Sequence, residues 1–181
     1  DAISLVFDDT NLFETSKFSG YDRLETGTRA NIGVQYTFQQ NSGGYLRALF
    51  GQSYQLAGVN AYANQPIPCG GTTVYAPGIN YNCSPIFSPK SGLETTDSDY
   101  VLGLYMAPSP AFRLISQSRF DNTTFEIRRE DAAFNIFYGP LSLVGAYSYR
   151  FDDPEINPNG ALQDVSSFLS LRLTDRWSLL G

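Results

Sequence analysis

Apolar and polar residues alternate one by one in several windows of the chain. From Ala30 to Phe38 every second residue is apolar or aromatic, whereas the intervening residues from Arg29 to Thr37 are polar or glycine. Successive side chains of a β-strand point to opposite faces, so this period of two predicts a strand with one apolar and one polar face. Similar alternation recurs at residues 46–51, 99–106, 141–150 and 164–173. The pattern therefore predicts an all-β fold.

The connections between the predicted strands fall into two classes that alternate along the chain. Consecutive antiparallel strands place every short turn at one end of the sheet and every long loop at the other, as in an outer-membrane β-barrel. A soluble β-sandwich has no reason to sort its loops in this way. Short turns are predicted at residues 40–44, 108–110, 138–140 and 174–176, and long loops at residues 8–27, 56–98 and 152–162. The fourth connection at the long-loop end, at Asn122 and Thr123, is tight, so three of those four are long.

The strand count predicts an antiparallel transmembrane β-barrel of which this chain is a sector. About nine strand segments are distinguishable when the incomplete ends are included, and strands of about 9 to 11 residues span a bilayer. Because the sequence opens and closes within apparent strands, we expect residues 1–181 to be part of one larger barrel domain.

The distribution of aromatic and charged residues favours a membrane barrel over a packed sandwich. Aromatic residues near strand ends fit the lipid–water boundary, and arginines on the other face fit a wet lumen. The arginines either balance lumen carboxylates (Asp99, Glu126, Glu130 and Asp164) or also meet an anionic cargo. The aromatic residues are Tyr36, Phe38, Tyr100, Tyr147, Tyr149, Phe151 and Trp177, and the arginines are Arg29, Arg47, Arg113, Arg119, Arg128, Arg150 and Arg172.

Composition excludes several classes of function. The net charge of −6 argues against a nucleic-acid partner, which needs a basic surface. No apolar run is long enough for a membrane helix. The chain has no histidine, which removes the commonest catalytic base and most zinc sites. Adjacent carboxylates such as Asp8 and Asp9 are expected to be solvated, so we predict neither an enzyme, nor a metal site, nor a cofactor.

Two cysteines, Cys69 and Cys83, flank a segment rich in turn residues within the longest predicted loop. In an oxidising compartment they are expected to form a disulfide that closes this loop. The alternative is two unpaired thiols in the same loop.

Three stretches resemble a known family. They are residues 18–23 with the following Gly27, Thr28 and Arg29, residues 43–56, and residues 91–101. The combination resembles the C-terminal β-barrel domain of the LptD family, also called organic solvent tolerance proteins, of which this chain would be an internal fragment. The resemblance implies a barrel of about 26 strands, a number within the range of outer-membrane barrels.

The resemblance also implies a function. Proteins of this family insert lipopolysaccharide into the outer leaflet of the outer membrane and perform no covalent chemistry. The implied partners are an LptE-like lipoprotein that plugs the lumen, lipopolysaccharide as cargo, and a periplasmic Lpt bridge that reaches the barrel through an N-terminal domain absent from this chain. The two cysteines do not match the disulfides of the family, so no pairing is carried over.

The candidate binding residues are Tyr21, Asp22 and Arg23 in the first long loop, with Arg29 and Arg47 on the polar strand faces. We hypothesise that this loop folds over or into the barrel and contacts the lipoprotein or lipid. The alternative is a loop that only stabilises the barrel wall. For the whole protein, the rival functions are a passive porin or structural barrel and, less compatible with the sorted loops, a secreted sugar-binding sandwich.

Overall fold

The computed structural model describes residues 7–17, 25, 27–60, 62–63, 91–151 and 160–181. These residues form one sheet of eight antiparallel strands in chain order, and the sheet is not closed. The strands are β1 (Thr28–Gln39), β2 (Tyr45–Ala57), β3 (Tyr100–Ser109), β4 (Phe112–Phe120), β5 (Ile127–Tyr138), β6 (Leu141–Arg150), β7 (Leu162–Arg172) and β8 (Ser178–Leu180). No helix of the described ranges is long and apolar enough to cross a membrane.

The predicted all-β antiparallel architecture is confirmed. Eight strands are described where the sequence predicted about nine, and the apparent strand at residues 1–6 lies outside the described residues. Every strand pairs with its neighbour along the chain through an antiparallel ladder. The β1–β2, β3–β4, β5–β6 and β7–β8 connections all lie at one end of the sheet, which we call the short-turn end.

The two faces of the sheet differ as the alternation predicts. One face, here called the outer face, exposes apolar side chains such as Ile32 and Val34, which are 61% and 73% accessible. The other, here called the inner face, carries Gly33, Gly51 and Gly103. Cross-strand pairing joins these positions, since Gly33 lies opposite Gly51 and Leu49 lies opposite Gly103. An apolar belt of this kind suits contact with lipid.

The hydrophobic core lies on the inner face and not on the apolar outer face. Its members come from the segment before β1 and from the β2–β3 connection, as well as from β2 and β3, and all are at most 4% exposed. Chain segments outside the strands therefore fold back over the inner face of β1 to β3. The core residues are Phe7, Leu12, Leu49, Tyr62, Leu93 and Val101.

An aromatic cluster lies on the outer face, away from the short-turn end. The Tyr100 ring stacks on Phe50 at 5.5 Å and contacts Phe125 at 5.2 Å between centroids. Phe125 also stacks on Phe120 at 5.2 Å. Such a cluster at one end of the strands is typical of an interfacial aromatic girdle.

One predicted lumen carboxylate is placed wrongly by the sequence interpretation. Glu130 lies on the outer face, where its carboxylate accepts hydrogen bonds from Ser116 Oγ at 2.7 Å and from Ser118 Oγ. The strand register explains this placement, because Glu130 pairs with Ser118 whereas Asp131 pairs with Gln117. The two serine hydroxyls compensate a carboxylate that would otherwise be costly on an apolar face.

Candidate functional site

Residues 7–17, here called the inward segment, form a turn that packs on the inner face. The Asp8 carboxylate closes this turn, since its Oδ1 accepts hydrogen bonds from Thr10 N at 2.9 Å and Asn11 N at 3.3 Å. The Asn11 side chain returns the contact by accepting from Asp8 N at 3.1 Å. Asp and Asn stabilise turns through such local bonds, which explains why this part of the chain folds compactly.

Asp9 fixes the inward segment to the sheet. It is only 4% exposed, so the expectation of a solvated carboxylate is wrong. Its two oxygens accept hydrogen bonds from Tyr105 Oη at 2.7 Å and from Gln117 Nε2 at 2.8 Å. Hydrogen bonds to a charged acceptor are stronger than neutral ones, so two neighbouring strands hold Asp9 in place.

Glycines in three strands make room for the inward segment. A Cβ atom built at Gly51 would lie 2.4 Å from Leu12 Cδ2, and one at Gly33 would lie 2.9 Å from Phe13 Cζ. Neither glycine has a positive φ, so these positions require glycine for close approach and not for backbone conformation. With Gly103 beneath Asp9, they form a shallow saddle across β1, β2 and β3.

A cavity of about 390 Å³ lies between the inward segment and the inner face. Its lining combines apolar and aromatic side chains with polar ones, and the Arg47 guanidinium lies over the Tyr105 ring, 5.2 Å from its centre. A cation beside apolar surface suits an anionic amphiphile. The lining residues are Asp9, Thr10, Phe13, Gly33, Gln35, Arg47, Leu49 and Tyr105.

Arg29 belongs to a different, buried cluster. Its Nε lies 2.7 Å from Glu25 Oε1, and Lys17 Nζ lies 3.8 Å from Glu25 Oε2. Arg29 Nη2 donates to Asn60 Oδ1 at 2.9 Å, and its guanidinium lies 5.4 Å from the centre of the Tyr62 ring. Burial lowers the pKa of Lys17, and the nearby Glu25 acts against this shift. Arg29 is therefore positioned to hold loops together and is not exposed to a wet lumen.

Arg119 and Asp99 form a second buried ion pair. Arg119 Nε lies 3.2 Å from Asp99 Oδ2, and its Nη1 donates to the Ser91 carbonyl. Asp99 N in turn donates to the Gly92 carbonyl at 2.8 Å. Burial raises the pKa of Asp99 to about 6, although the positive charge of Arg119 opposes the shift. The pair holds the segment before β3 against β4. It is one example of the predicted pairing between an arginine and a carboxylate.

Two further ion pairs among the described residues lie at the ends of β4 and β5. Arg128 Nη2 contacts Asp121 Oδ2 at 2.6 Å, and its guanidinium covers the Phe151 ring at 4.2 Å. Arg129 pairs with Asp131, which also accepts a hydrogen bond from Ser148 Oγ at 2.6 Å. These arginines therefore use partners other than Glu126, Glu130 and Asp164.

Most residues of the candidate binding set cannot be placed. Tyr21, Asp22 and Arg23 lie outside the described residues, and so do Cys69 and Cys83. Arg29 and Arg47 are both on the inner face, but the structure assigns them to separate groups. Sequence reasoning missed Asp9, Tyr105 and Gln117. The glycines at matching positions of adjacent strands are the signal that could have indicated a chain segment packed closely on the sheet.

Comparisons with known proteins identify the family. The sequence profile of the LptD family, described as LPS transport system D, matches residues 1–177. No individual curated protein matches the chain at a significant level. Within the described ranges, no group of three or more His, Cys, Asp or Glu side chains is placed to hold a metal ion. The resemblance seen in the sequence is thus confirmed, and the chain belongs to the LptD family of outer-membrane lipopolysaccharide-transport proteins.

Proposed function

We propose that this chain is part of an outer-membrane translocon barrel that inserts lipopolysaccharide into the outer leaflet, with a plug lipoprotein in its lumen. Membership in the LptD family carries the proposal. The two-faced sheet supports it, because an apolar outer face suits lipid and a polar inner face suits a lumen. The protein performs no covalent chemistry and receives its cargo from a periplasmic Lpt bridge through a further domain.

The cavity beneath the inward segment is the proposed contact for cargo within this sector. Lipopolysaccharide carries anionic groups on an amphipathic body, and the cavity combines the Arg47 guanidinium with Phe13, Leu49 and Tyr105. Arg47 is exposed, so its charge is available to a ligand. Asp9 is already satisfied by Tyr105 and Gln117, which leaves Arg47 as the charged group facing an incoming anion.

The rest of the first long loop extends this proposal. We infer that Tyr21, Asp22 and Arg23 contact the lipoprotein or lipid, since the part of this loop that is described already folds onto the inner face. A disulfide between Cys69 and Cys83 would close the longest loop in the oxidising compartment outside the inner membrane.

The test is purification of the full-length protein from outer membranes, with measurement of co-purifying lipoprotein and lipopolysaccharide. Recovery of both is expected, and depletion of the protein should remove newly made lipopolysaccharide from the cell surface. A detergent-stable barrel that conducts ions, and that retains neither partner, would instead establish a passive porin.

A further inference from the structure

A second cavity, here called the outer-face cavity, has a volume of about 440 Å³ and spans β5, β6 and β7. Strand register places its lining on the outer face. Glu130 lies opposite Tyr149, and Tyr149 lies opposite Gln163, so these three side chains form one row across the strands. Tyr147 lies two residues before Tyr149 and therefore shares its face. The cavity is thus a polar notch in the apolar outer face, separate from the cavity beneath the inward segment.

Two carboxylates line the outer-face cavity, and no lysine or arginine does. The Glu130 carboxylate accepts hydrogen bonds from Ser116 and Ser118, one to each oxygen. These neutral hydroxyls fix its position without balancing its charge. The Glu126 carboxylate makes no ion pair and no hydrogen bond with any residue in the described ranges. The cavity therefore presents two negative charges that need a cation from outside the wall.

The arginines beside the cavity are already paired. Arg128 contacts the lining residue Phe151, but its Nη2 lies 2.6 Å from Asp121 Oδ2. Arg129 pairs with Asp131 on the inner face. The sequence that follows Phe151, residues 152–159, contains three acidic residues and no lysine or arginine. No neighbouring part of the sequence thus supplies the missing positive charge.

The aromatic lining indicates which kind of cation fits. The rings of Tyr147, Tyr149 and Phe151 surround the carboxylates, and the faces of aromatic rings attract organic ammonium groups. A carboxylate also accepts strong, charge-assisted hydrogen bonds from an ammonium. Calcium instead takes about six to eight oxygen ligands, and no group of three or more acidic side chains is placed for a metal within the described ranges. The lining therefore suits an organic ammonium better than a metal ion.

The depth of the cavity indicates where its ligand resides. Glu130 lies three residues beyond Ile127, the first residue of β5, which is about 10 Å along the strand. This end is opposite the short turns, and the longer loops of outer-membrane barrels are extracellular. Val165, on the short-turn side of Gln163, is 80% exposed on the outer face and offers apolar surface to an acyl chain. The cavity thus lies at the level of lipid head groups, with apolar wall beside it.

We propose that the outer-face cavity binds the ammonium group of a membrane lipid. Glu126 and Glu130 accept its hydrogen bonds, and the rings of Tyr147 and Tyr149 enclose its charge. Two lipid classes present this group: phosphatidylethanolamine, and a lipid A whose phosphate is substituted with ethanolamine phosphate. The inference goes beyond the proposed function, because the site faces the bilayer and does not belong to the route through the lumen.

The test is native mass spectrometry of the full-length protein in detergent, with phosphatidylethanolamine as the probe. A one-to-one adduct is expected, and N-acetylation of the probe, which removes its positive charge, should weaken binding about tenfold. Glu126→Gln and Glu130→Gln should each weaken it about fivefold or more, since each removes a charged acceptor. The matched control is Asp164→Asn, which removes a carboxylate from the inner face beside Gln163 and should leave binding unchanged. Heat-modifiable migration on a gel verifies that each variant is folded.

The same measurement with substituted and unsubstituted lipid A distinguishes the two sources. A preference for the substituted form supports the inference and assigns the site to a glycolipid, whereas binding of phosphatidylethanolamine alone supports it and assigns the site to a phospholipid. Equal binding of acetylated and unmodified phosphatidylethanolamine would overturn the inference, because it would indicate contact with acyl chains only. Binding that survives in both Glu126→Gln and Glu130→Gln, or that falls as much in Asp164→Asn, would also overturn it. None of these results depends on the lipoprotein or on lipopolysaccharide transport.

Discussion

Asp9 lies directly over Gly103, so that a Cβ atom built at position 103 would fall 2.0 Å from Asp9 Oδ2 and 2.9 Å from Asp9 Cβ. A nearly buried carboxylate thus rests on the backbone of a strand, where the missing side chain of glycine provides the space. The same carboxylate accepts its hydrogen bonds from the residues on either side, Tyr105 and Gln117. Position 103 therefore controls whether the inward segment can dock.

The first prediction is that Gly103→Ala destabilises the full-length barrel by about 1–3 kcal/mol, the usual cost of overpacking a tight site. Urea unfolding in detergent measures this difference. Asp9→Gly provides the control background, because it removes the side chain that collides. In that background Gly103→Ala should lower the free energy of unfolding much less. Additive effects of the two substitutions in a double-mutant cycle would contradict the contact between Asp9 and position 103.

The second prediction concerns the hydrogen bond from Tyr105 to Asp9. Tyr105→Phe keeps the ring under Arg47 but leaves a buried carboxylate with one donor fewer, so we expect a loss of about 1–3 kcal/mol in the free energy of unfolding. Tyr147→Phe is the matched control, since Tyr147 is exposed on the outer face. Equal effects of the two substitutions in urea unfolding would show that the bond to Asp9 contributes nothing specific.

The faces of the strands could be predicted because the signal is local. Every second residue from Ala30 to Phe38 is apolar, and side chains two residues apart share a face regardless of the rest of the fold. Glu130 shows where this reasoning stops. Its neighbours Arg129 and Asp131 are also charged, so alternation cannot indicate which of the three faces outward. Only pairing with Ser118 on β4 decides this.

The inward segment could not be predicted from the sequence. Asp9 meets Tyr105 and Gln117 across about a hundred residues of chain, and no local pattern encodes such a contact. Its neighbour Asp8 is also acidic, which is typical of a solvated turn. The apolar residues Phe7 and Leu12 are too few and too irregularly spaced to predict a buried segment, so docking follows from tertiary packing on the glycine saddle.

The third prediction concerns backbone strain in the connection between β4 and β5. Phe125 has a φ of 61°, a left-handed conformation that costs residues other than glycine about 1–2 kcal/mol. Stacking on Phe120 and contact with Tyr100 offset this cost. Phe125→Ala should lose the ring contacts and keep the strain, whereas Phe125→Gly should relieve it. We therefore expect the Gly variant to be about 1 kcal/mol more stable than the Ala variant in urea unfolding. The reverse order would contradict the backbone strain at position 125.

The fourth prediction tests the cavity beneath the inward segment. Arg47→Glu should reduce the lipopolysaccharide that co-purifies with the full-length protein about fivefold, which corresponds to a loss of about 1 kcal/mol. Arg47→Lys should have a smaller effect because it keeps the charge. Arg150→Glu is the control, since Arg150 carries the same charge on the inner face of β6 and lies outside the cavity. Equal losses with Arg47→Glu and Arg150→Glu would indicate a general effect of lumen charge.

The fifth prediction follows from the buried pair of Asp99 and Arg119. The pKa of Asp99 is raised from 3.8 to about 6, so between these values the folded protein binds more protons than the unfolded chain. The stability that Asp99 contributes is therefore complete below about pH 4 and is lost as the pH rises through 6. Relative to Asp99→Asn, the wild-type barrel should become less stable from pH 4 to pH 7 in urea unfolding. Asp121→Asn is the control. Backbone hydrogen bonding to Thr124 lowers the pKa of Asp121, so its stabilising contribution is lost as the pH falls and not as it rises. The stability of the wild-type barrel relative to Asp121→Asn should therefore not decline from pH 4 to pH 7. A flat difference for Asp99→Asn would mean that folding does not raise the pKa of Asp99.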